Sequence, residues 1–332
     1  MSPVSSTGNL QTDHTTHADD FSVVKSFDNN RELSSLFGEH DEHLSIIENE
    51  LQVAITPRGN KLSIRGNQQA CESAARVLDA LANRNLNHLD ITIGDVKGAI
   101  RMSRTNTQQH QMNQLIQIKT PRKMISPRSP GQAKYISAIA QNELVFGSGP
   151  AGTGKSYLAV ACAAEALLEG RVERIIFSRP AVEAGENLGF LPGDMKEKVD
   201  PYLRPLYDAL YDVMPQAKVE RDIADGTIEI APLAFMRGRT LANSFIILDE
   251  AQNTTQQQMK MFLTRLGEGS CMVVNGDPSQ IDLPGNVVSG LAHATGLLEE
   301  IKGIAHVVLT QEDIVRHPLV SRIVGAYDGD RN

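Results

Sequence analysis

The sequence has few aromatic residues and few cysteines. Its 332 residues include no tryptophan, and 5% are aromatic. The three cysteines, Cys71, Cys162 and Cys271, lie far apart along the chain, which argues against a disulfide framework and against a zinc cluster. No uninterrupted apolar run is long enough to span a bilayer, and residues 1–20 lack the basic start and apolar centre of a signal peptide. We therefore expect a cytoplasmic protein with reduced thiols and no membrane partner.

Acidic residues are missing from one stretch of an otherwise acidic chain. The net charge is −8, so nucleic-acid binding cannot be argued from the whole protein. Residues 96–142 contain no Asp or Glu, and their composition favours either a strip that binds RNA phosphates or a solvated linker rich in Gln, Asn and Pro. The basic residues of this stretch are Lys97, Arg101, Arg104, Lys119, Arg122, Lys123, Arg128 and Lys134.

A glycine-rich stretch at residues 149–156 fits the phosphate-binding pattern G-x-x-x-x-G-K-[ST] at every fixed position. The apolar run 144–146 before it predicts a buried strand, and residues 156–169 after it predict a helix that Gly170 would cap. Glycines let backbone amides turn toward phosphate oxygens, and the helix N-terminus adds partial positive charge. The residues expected to bind ATP here are Gly149, Pro150, Ala151, Gly152, Thr153, Gly154, Lys155, Ser156 and the following Tyr157.

Apolar strands alternate with helical patterns after this loop, which predicts an α/β fold with a parallel doubly wound sheet, the RecA-like P-loop NTPase fold. Lys155 would reach the β- and γ-phosphates, and the Ser156 hydroxyl would ligate Mg²⁺. Asp249 ends the apolar run 245–248, where a carboxylate can hold Mg²⁺ opposite Ser156. Glu250 would polarise the attacking water as a general base. Without the loop, the Asp-Glu pair would be interpreted as a helix cap.

Two further stretches resemble motifs of superfamily one helicases, namely residues 249–252 (DEAQ) and 276–280 (GDPSQ). The resemblance implies that Gln280 senses the γ-phosphate, although Gly, Asp, Pro and Ser also form simple turns. Gln132 precedes the first strand at about the distance at which related helicases place an adenine-reading glutamine, and Tyr135 would stack nearby. Both residues fit equally well into an amphipathic helix over residues 132–140.

With these residues in hand, the chain resembles the PhoH family of ATP-binding proteins over nearly its whole length. The resemblance implies a cytoplasmic, ATP-hydrolysing protein linked to RNA, similar to bacterial members associated with ribosomal RNA maturation and with an endoribonuclease partner. It assigns residues 113–332 to the ATPase domain. The stretches that carry it are 178–180 (SRP), 186–193 (ENLGFLPG), 249–252 (DEAQ), 276–280 (GDPSQ) and 313–320 (DIVRHPLV).

A smaller module precedes the ATPase domain. Residues 1–20 predict a disordered tail, residues 21–95 a small α+β module and residues 96–112 a basic linker. The module's order of strand, helix, helix, strand, strand and helix resembles a KH domain, which binds single-stranded RNA through a G-x-x-G loop. Residues 38–41 (GEHD) lack the second glycine and add two acids. The module is therefore either an RNA-binding unit or a packing unit.

The sequence contains one predicted sheet, whereas superfamily one helicases close the nucleotide between two. An arginine that completes the site would then come from within the chain or from a neighbouring subunit, which predicts a homo-oligomeric ring, a hexamer. Arg316 is the first candidate, with an ordinary surface cation as the alternative, and Arg179 and Arg204 follow. The rival function is an ATP-gated scaffold with little turnover. A small-molecule kinase would not explain Gln280 or the acid pair.

Overall fold

The structure is a computed structural model that divides into an N-terminal unit, Met1–Val96, and a C-terminal unit, Lys97–Asn332. Within the described residues, no helix has both the length and the apolar character needed to cross a membrane. The residues that the structure describes are 21–27, 30–86, 91–104, 116–180 and 195–315, with 319–320, 323 and 326.

The N-terminal unit is a three-stranded antiparallel sheet, in the order β1-β3-β2, packed against helices. Leu62 and Ile64 alternate with polar residues along β3, and both are buried with Leu78 of α3 because one face of the sheet is covered. The element order is the one that the sequence predicts, and the likeness to a KH domain stays a prediction. The elements are β1 (Phe21–Ser26), α1 (Asn30–Phe37), α2 (Glu42–Leu51), β2 (Ala54–Arg58), β3 (Lys61–Gly66) and α3 (Gln68–Leu86).

The connection between α1 and α2 is a tight turn. Gly38 has φ +76°, and His40 and Asp41 also adopt left-handed conformations. A Cβ on Gly38 would come within 2.8 Å of the His43 ring, which is buried. Packing therefore accounts for this glycine, and a role of the turn in binding RNA stays a prediction.

A helix, α4 (Ile93–Ser103), occupies much of the segment for which the sequence predicts a basic linker. Val96, Ile100 and Met102 are buried, at a spacing of four and two residues. Residues 96–103 of the segment predicted as a basic linker are therefore helical, and the predicted domain boundaries stay a prediction. Residues 105–115, which include positions 105–112 of the predicted linker, lie outside the described part of the chain.

The C-terminal unit contains a six-stranded sheet in the order β11-β6-β10-β9-β7-β8, and every pairing in it is parallel. The central strands are apolar on both faces because helices cover both. This confirms the predicted parallel doubly wound sheet. The strands are β6 (Leu144–Ser148), β7 (Arg174–Arg179), β8 (Ile228–Pro232), β9 (Ser244–Leu248), β10 (Cys271–Gly276) and β11 (Ile304–Val308).

Helices on the two faces enclose two hydrophobic clusters. Val145 and Phe177 face the cluster that includes the helices over residues 130–141 and 155–168. Phe146 and Ile246 face the cluster that includes the helices over residues 256–263 and 290–297. A short antiparallel pair of strands, Ile118–Lys119 and Met124–Ile125, precedes the first helix of this unit's core. The remaining elements are β4 (Ile118–Lys119), β5 (Met124–Ile125), α5 (Pro130–Gln141), α6 (Lys155–Leu168), α7 (Met195–Val213), α8 (Gln216–Ala224), α9 (Gln256–Leu263) and α10 (Gly290–Leu297).

Part of the segment over residues 183–226 packs into the core of the C-terminal unit. Leu206 and Leu210 of α7 are buried in the core, and Tyr207 and Tyr211 pack against it half-buried. The two tyrosines therefore contribute to the core. Residues 181–194 lie outside the described residues.

Candidate functional site

The glycine-rich loop lies at the carboxyl edge of the sheet, between β6 and α6. Gly149, Gly152 and Gly154 have φ values of 146°, 86° and 85°, which residues with a side chain rarely adopt. The amide of Gly149 donates to the carbonyl of Gly276, the last residue of β10, at 3.2 Å, which joins the start of the loop to that strand. Because α6 begins at Lys155, its first-turn amides face the loop. This arrangement suits an anion.

Gly149→Ala is expected to disrupt the loop and to weaken ATP binding at least tenfold. The added Cβ would lie 2.3 Å from the backbone oxygen of Leu309. The φ of +146° adds strain of about 1–3 kcal/mol for a residue with a side chain. Titration with a fluorescent ATP analogue measures the effect. The matched control is Gly170→Ala, where φ is +68° but no atom lies within 4 Å of the new Cβ. Equal binding by the two variants would show that the loop tolerates a side chain.

Lys155 is buried inside the curve of the loop. Its Nζ donates to the carbonyl oxygens of Gly149 at 2.6 Å and Pro150 at 3.0 Å, and to Thr153 Oγ1 at 3.3 Å. Phosphate oxyanions form stronger hydrogen bonds with an ammonium than these uncharged oxygens do. The structure thus holds the lysine where an anion in the loop would meet it.

Ser156 and Asp249 form the second part of the site. Ser156 Oγ donates to Asp249 Oδ1 at 2.6 Å, and Asp249 is buried. Burial raises the pKa of the Asp249 carboxyl above its usual value, and the hydrogen bond from Ser156 and the charge of Arg179 offset part of this rise. A carboxylate that lacks full compensation at this depth favours a bound cation.

The donor atoms fit Mg²⁺ held together with a nucleotide. Ser156 Oγ and Asp249 Oδ1 are both oxygens. Mg²⁺ bound with a nucleotide takes one or two protein oxygens and completes its coordination shell with phosphates and water. The described residues contain no group of three or more His, Cys, Asp or Glu side chains that could hold a metal ion.

Glu250 lies at the same cavity, which has a volume of about 250 Å³ and is lined by residues of the loop, Tyr157, Asp249, Glu250 and Gln280. Its backbone is left-handed, with φ +54°. Glu250 Oε1 lies 2.9 Å from the guanidinium of Arg179, and Oε2 accepts a hydrogen bond from Gln252 at 2.6 Å. The structure therefore brings most of the residues predicted from sequence to one cavity.

Asp277 is a residue of this site that the sequence analysis missed. Its Oδ2 accepts hydrogen bonds from the Ala151 amide at 3.1 Å and from Gln280 Nε2 at 2.7 Å. Burial alone would raise the pKa of Asp277, but hydrogen bonds from Ser279 and the charge of Lys155 hold it below its usual value. An ionised Asp277 thus connects Gln280 to the loop. The sequence signal that could have identified Asp277 as a site residue is its position within the 276–280 motif.

Gln252 is a second residue whose role was missed. Its buried side chain accepts from the Asp277 amide at 3.0 Å and donates to the Gln280 carbonyl at 3.1 Å, in addition to its bond to Glu250. It therefore joins the residues that follow β9 to those that follow β10. The helicase-like motif marked the position without indicating these partners.

Gln132 contacts the loop from α5. It is buried, its Nε2 donates to the Thr153 carbonyl at 2.9 Å, and its Oε1 accepts from the Arg128 amide at 2.7 Å. The contact that the structure shows is with the loop, and adenine recognition by Gln132 stays a prediction. The expectation for Tyr135 is wrong, because its ring is fully buried and its hydroxyl donates to Asn275 Oδ1 at 2.6 Å. Core packing therefore leaves Tyr135 no face for a base.

Arg316, the predicted arginine finger, lies outside the described residues. The residues before it lie against the loop. The Val315 amide donates to the Gly152 carbonyl at 2.9 Å, and Arg101 donates to the Ile314 carbonyl at 2.8 Å. Sequence reasoning could not find these contacts, because they join residues more than 150 positions apart.

The fold and the site together define a P-loop NTPase. Residues 124–328 match the model of the PhoH-like protein family. The PhoH-like protein of Bacillus subtilis (strain 168) is 51% identical over 300 residues, which cover 90% of this chain and 94% of the Bacillus protein. Protein PhoH of Escherichia coli (strain K12) is 48% identical over 205 residues, 61% of this chain and 58% of that protein. The chain belongs to the PhoH-like family.

Solved structures resemble part of the chain. The large terminase of a thermophilic bacteriophage gives a TM-score of 0.36 at 13% identity, covering 58% of this chain and 48% of the terminase. The Pif1 helicase of Candida albicans gives 0.30 at 14% identity, covering 55% of this chain and 39% of the helicase. The family assignment depends on the sequence matches.

Proposed function

We propose that the protein binds ATP with Mg²⁺ and hydrolyses it, and that it acts in RNA metabolism. The observation that carries the proposal is the 2.6 Å contact of Ser156 Oγ with Asp249 Oδ1, at the cavity that Glu250 also lines. These two oxygens would hold Mg²⁺ bound together with the nucleotide, as the equivalent hydroxyl and carboxylate do in P-loop NTPases. Family membership supports the same conclusion.

Each residue has a distinct task in this reaction. Lys155 and the loop amides bind the β- and γ-phosphates, while Ser156 and Asp249 hold Mg²⁺, which neutralises phosphate charge when bound. Glu250 takes a proton from the water that attacks the γ-phosphorus. The bond from that phosphorus to the bridging oxygen breaks, which gives ADP and phosphate. Gln280 senses the γ-phosphate.

The action on RNA rests on different residues. The segment 96–142 carries basic side chains and no acids, which favours contact with phosphate backbones. By resemblance, the substrate would be ribosomal RNA in maturation, with an endoribonuclease as partner, and the protein would work in the cytoplasm as a hexameric ring. The N-terminal unit would be a second RNA contact.

ATP hydrolysis by the full chain, with and without structured RNA, tests this function. We expect hydrolysis that EDTA abolishes and that RNA stimulates severalfold, with less stimulation at high salt because salt weakens phosphate contacts. The solution mass of the same sample reports the ring. Absence of hydrolysis under all conditions would reject the ATPase, and absence of stimulation by any RNA would reject the RNA role.

An ATP-gated scaffold is the second candidate. It is favoured by the contacts of Glu250, whose two carboxylate oxygens are engaged by Arg179 and Gln252 instead of facing a free site for water. A change in solution mass on adding ATP, with hydrolysis too slow to account for it, would support the scaffold.

A further inference from the structure

Arg179 lies at the candidate site, although it is not one of the residues of the loop or of the acid pair. It ends β7, which pairs with β9, and Asp249 and Glu250 follow β9. The Ser178 carbonyl accepts from the Asp249 amide at 2.9 Å, so the two strand ends are in register. The Arg179 side chain is 21% exposed and its Nη2 lies 2.9 Å from Glu250 Oε1. A guanidinium is therefore fixed at the edge of the cavity.

The charges around the cavity are unbalanced without this guanidinium. Three carboxylates line the cavity, those of Asp249, Glu250 and Asp277, and among the described lining residues the basic side chain is Lys155. The charge of Arg179 also acts on Asp249, where it offsets part of the rise in pKa. The positive charge of Arg179 thus offsets the negative charges of Glu250 and Asp249.

The ion pair conflicts with the task proposed for Glu250. The Arg179 guanidinium lies against Glu250 Oε1, and the Gln252 amide donates to Oε2. A water that approaches the Glu250 carboxylate therefore competes with these donors, and release of Arg179 makes room for it. The γ-phosphate is the anion that would occupy the adjacent cavity, and its oxygens gain charge in the transition state. A guanidinium presents paired donors that suit a phosphate.

We propose that Arg179 is a catalytic arginine supplied from within the chain. It pairs with Glu250 at rest and transfers to the γ-phosphate oxygens as the water attacks, the bond to the bridging oxygen breaks and Glu250 accepts the proton. The inference rests on the proposed ATP hydrolysis. It means that the site does not depend on the arginine of a neighbouring subunit.

The first test is the rate of ATP hydrolysis by Arg179→Ala. We expect kcat to fall about 100-fold, as for the loss of one donor to a developing charge, with a much smaller change in KM. Arg179→Lys should recover part of the rate, because it restores the charge without the paired donors. The matched control is Arg239→Ala, which removes a similar ion pair, that of Arg239 with Glu229, and should leave kcat unchanged. A normal kcat in Arg179→Ala would overturn the inference.

The second test separates contact with phosphate from a purely structural role. ADP with aluminium fluoride mimics the γ-phosphate in flight, so Arg179→Ala should bind this complex more weakly than the wild type while binding ADP alone equally well. Equal binding of the complex by the two proteins, or an equal loss for ADP alone, would show that Arg179 does not contact the γ-phosphate.

The third test asks which chain supplies the arginine. Arg179→Ala is mixed with Lys155→Ala, which keeps Arg179 but lacks the lysine of the loop. An arginine acting within its own chain leaves the mixture as inactive as its components, whereas recovered hydrolysis would place it in trans and overturn the proposal. The activity of the wild type shows whether the proposed function fails or only the inference about Arg179. If it does not hydrolyse ATP, the proposed function fails, and if only Arg179→Ala behaves normally, this inference alone fails.

Discussion

Glu250→Gln is expected to lower the rate of ATP hydrolysis on the order of 10²–10⁴-fold, the usual contribution of a general base. The amide has the shape of the carboxylate but cannot take the proton from water. ATP binding should persist, because Lys155, Ser156 and the loop amides are unchanged. Release of phosphate measures the rate, and titration with ATP measures the affinity.

Glu229→Gln is the matched control for this variant. Glu229 pairs with Arg239 at 2.5 Å, as Glu250 pairs with Arg179, and the two glutamate side chains are 32% and 35% exposed. Each substitution weakens one partly exposed ion pair, which is worth about 1 kcal/mol or less, so both proteins should fold. Hydrolysis should be lost only in Glu250→Gln. A normal rate in that variant would mean that another group activates the water.

Lys155→Ala is expected to abolish both ATP binding and hydrolysis, with a fall in kcat/KM on the order of 10³-fold or more. The variant removes the ammonium that the loop holds toward its anion, together with its bonds to the Gly149 and Pro150 carbonyls. The glycines of the loop are unchanged in this variant, so we expect the loss of binding to come from the missing positive charge. Titration with a labelled ATP analogue measures it directly.

The two variants together separate binding from chemistry. Thermal unfolding should show that both fold, and only Glu250→Gln should retain the nucleotide. ATP affinity near that of the wild type in Lys155→Ala would contradict the site, because it would place the phosphates away from this loop.

The sequence predicts the central sheet well because its strands are short apolar runs between helical patterns. The strands around 175–177 and 245–248 could be recognised in this way, since burial on both faces leaves these positions apolar. The sequence analysis interpreted residues 96–103 from their basic charge and did not predict the helix. Three apolar residues of this segment, Val96, Ile100 and Met102, are buried in that helix. Composition reports the average of a segment, whereas a helix needs only one apolar face.

The candidate site could be predicted as far as it is continuous in sequence. The loop, Asp249, Glu250 and Gln280 follow from local motifs. The partners of these residues do not, because Asp277 meets Ala151 across 126 positions and Tyr135 meets Asn275 across 140. Arg179 illustrates the same limit, since its pairing with Glu250 depends on the order of strands in the sheet.

The hydrogen bond between the Val315 amide and the Gly152 carbonyl means that the backbone near the C-terminal end of the domain supports the phosphate-binding loop. A fragment that keeps the whole eight-residue signature but stops after β10 would carry the motif and lack this support. Any displacement of the loop by a nucleotide also pulls on the backbone immediately before Arg316.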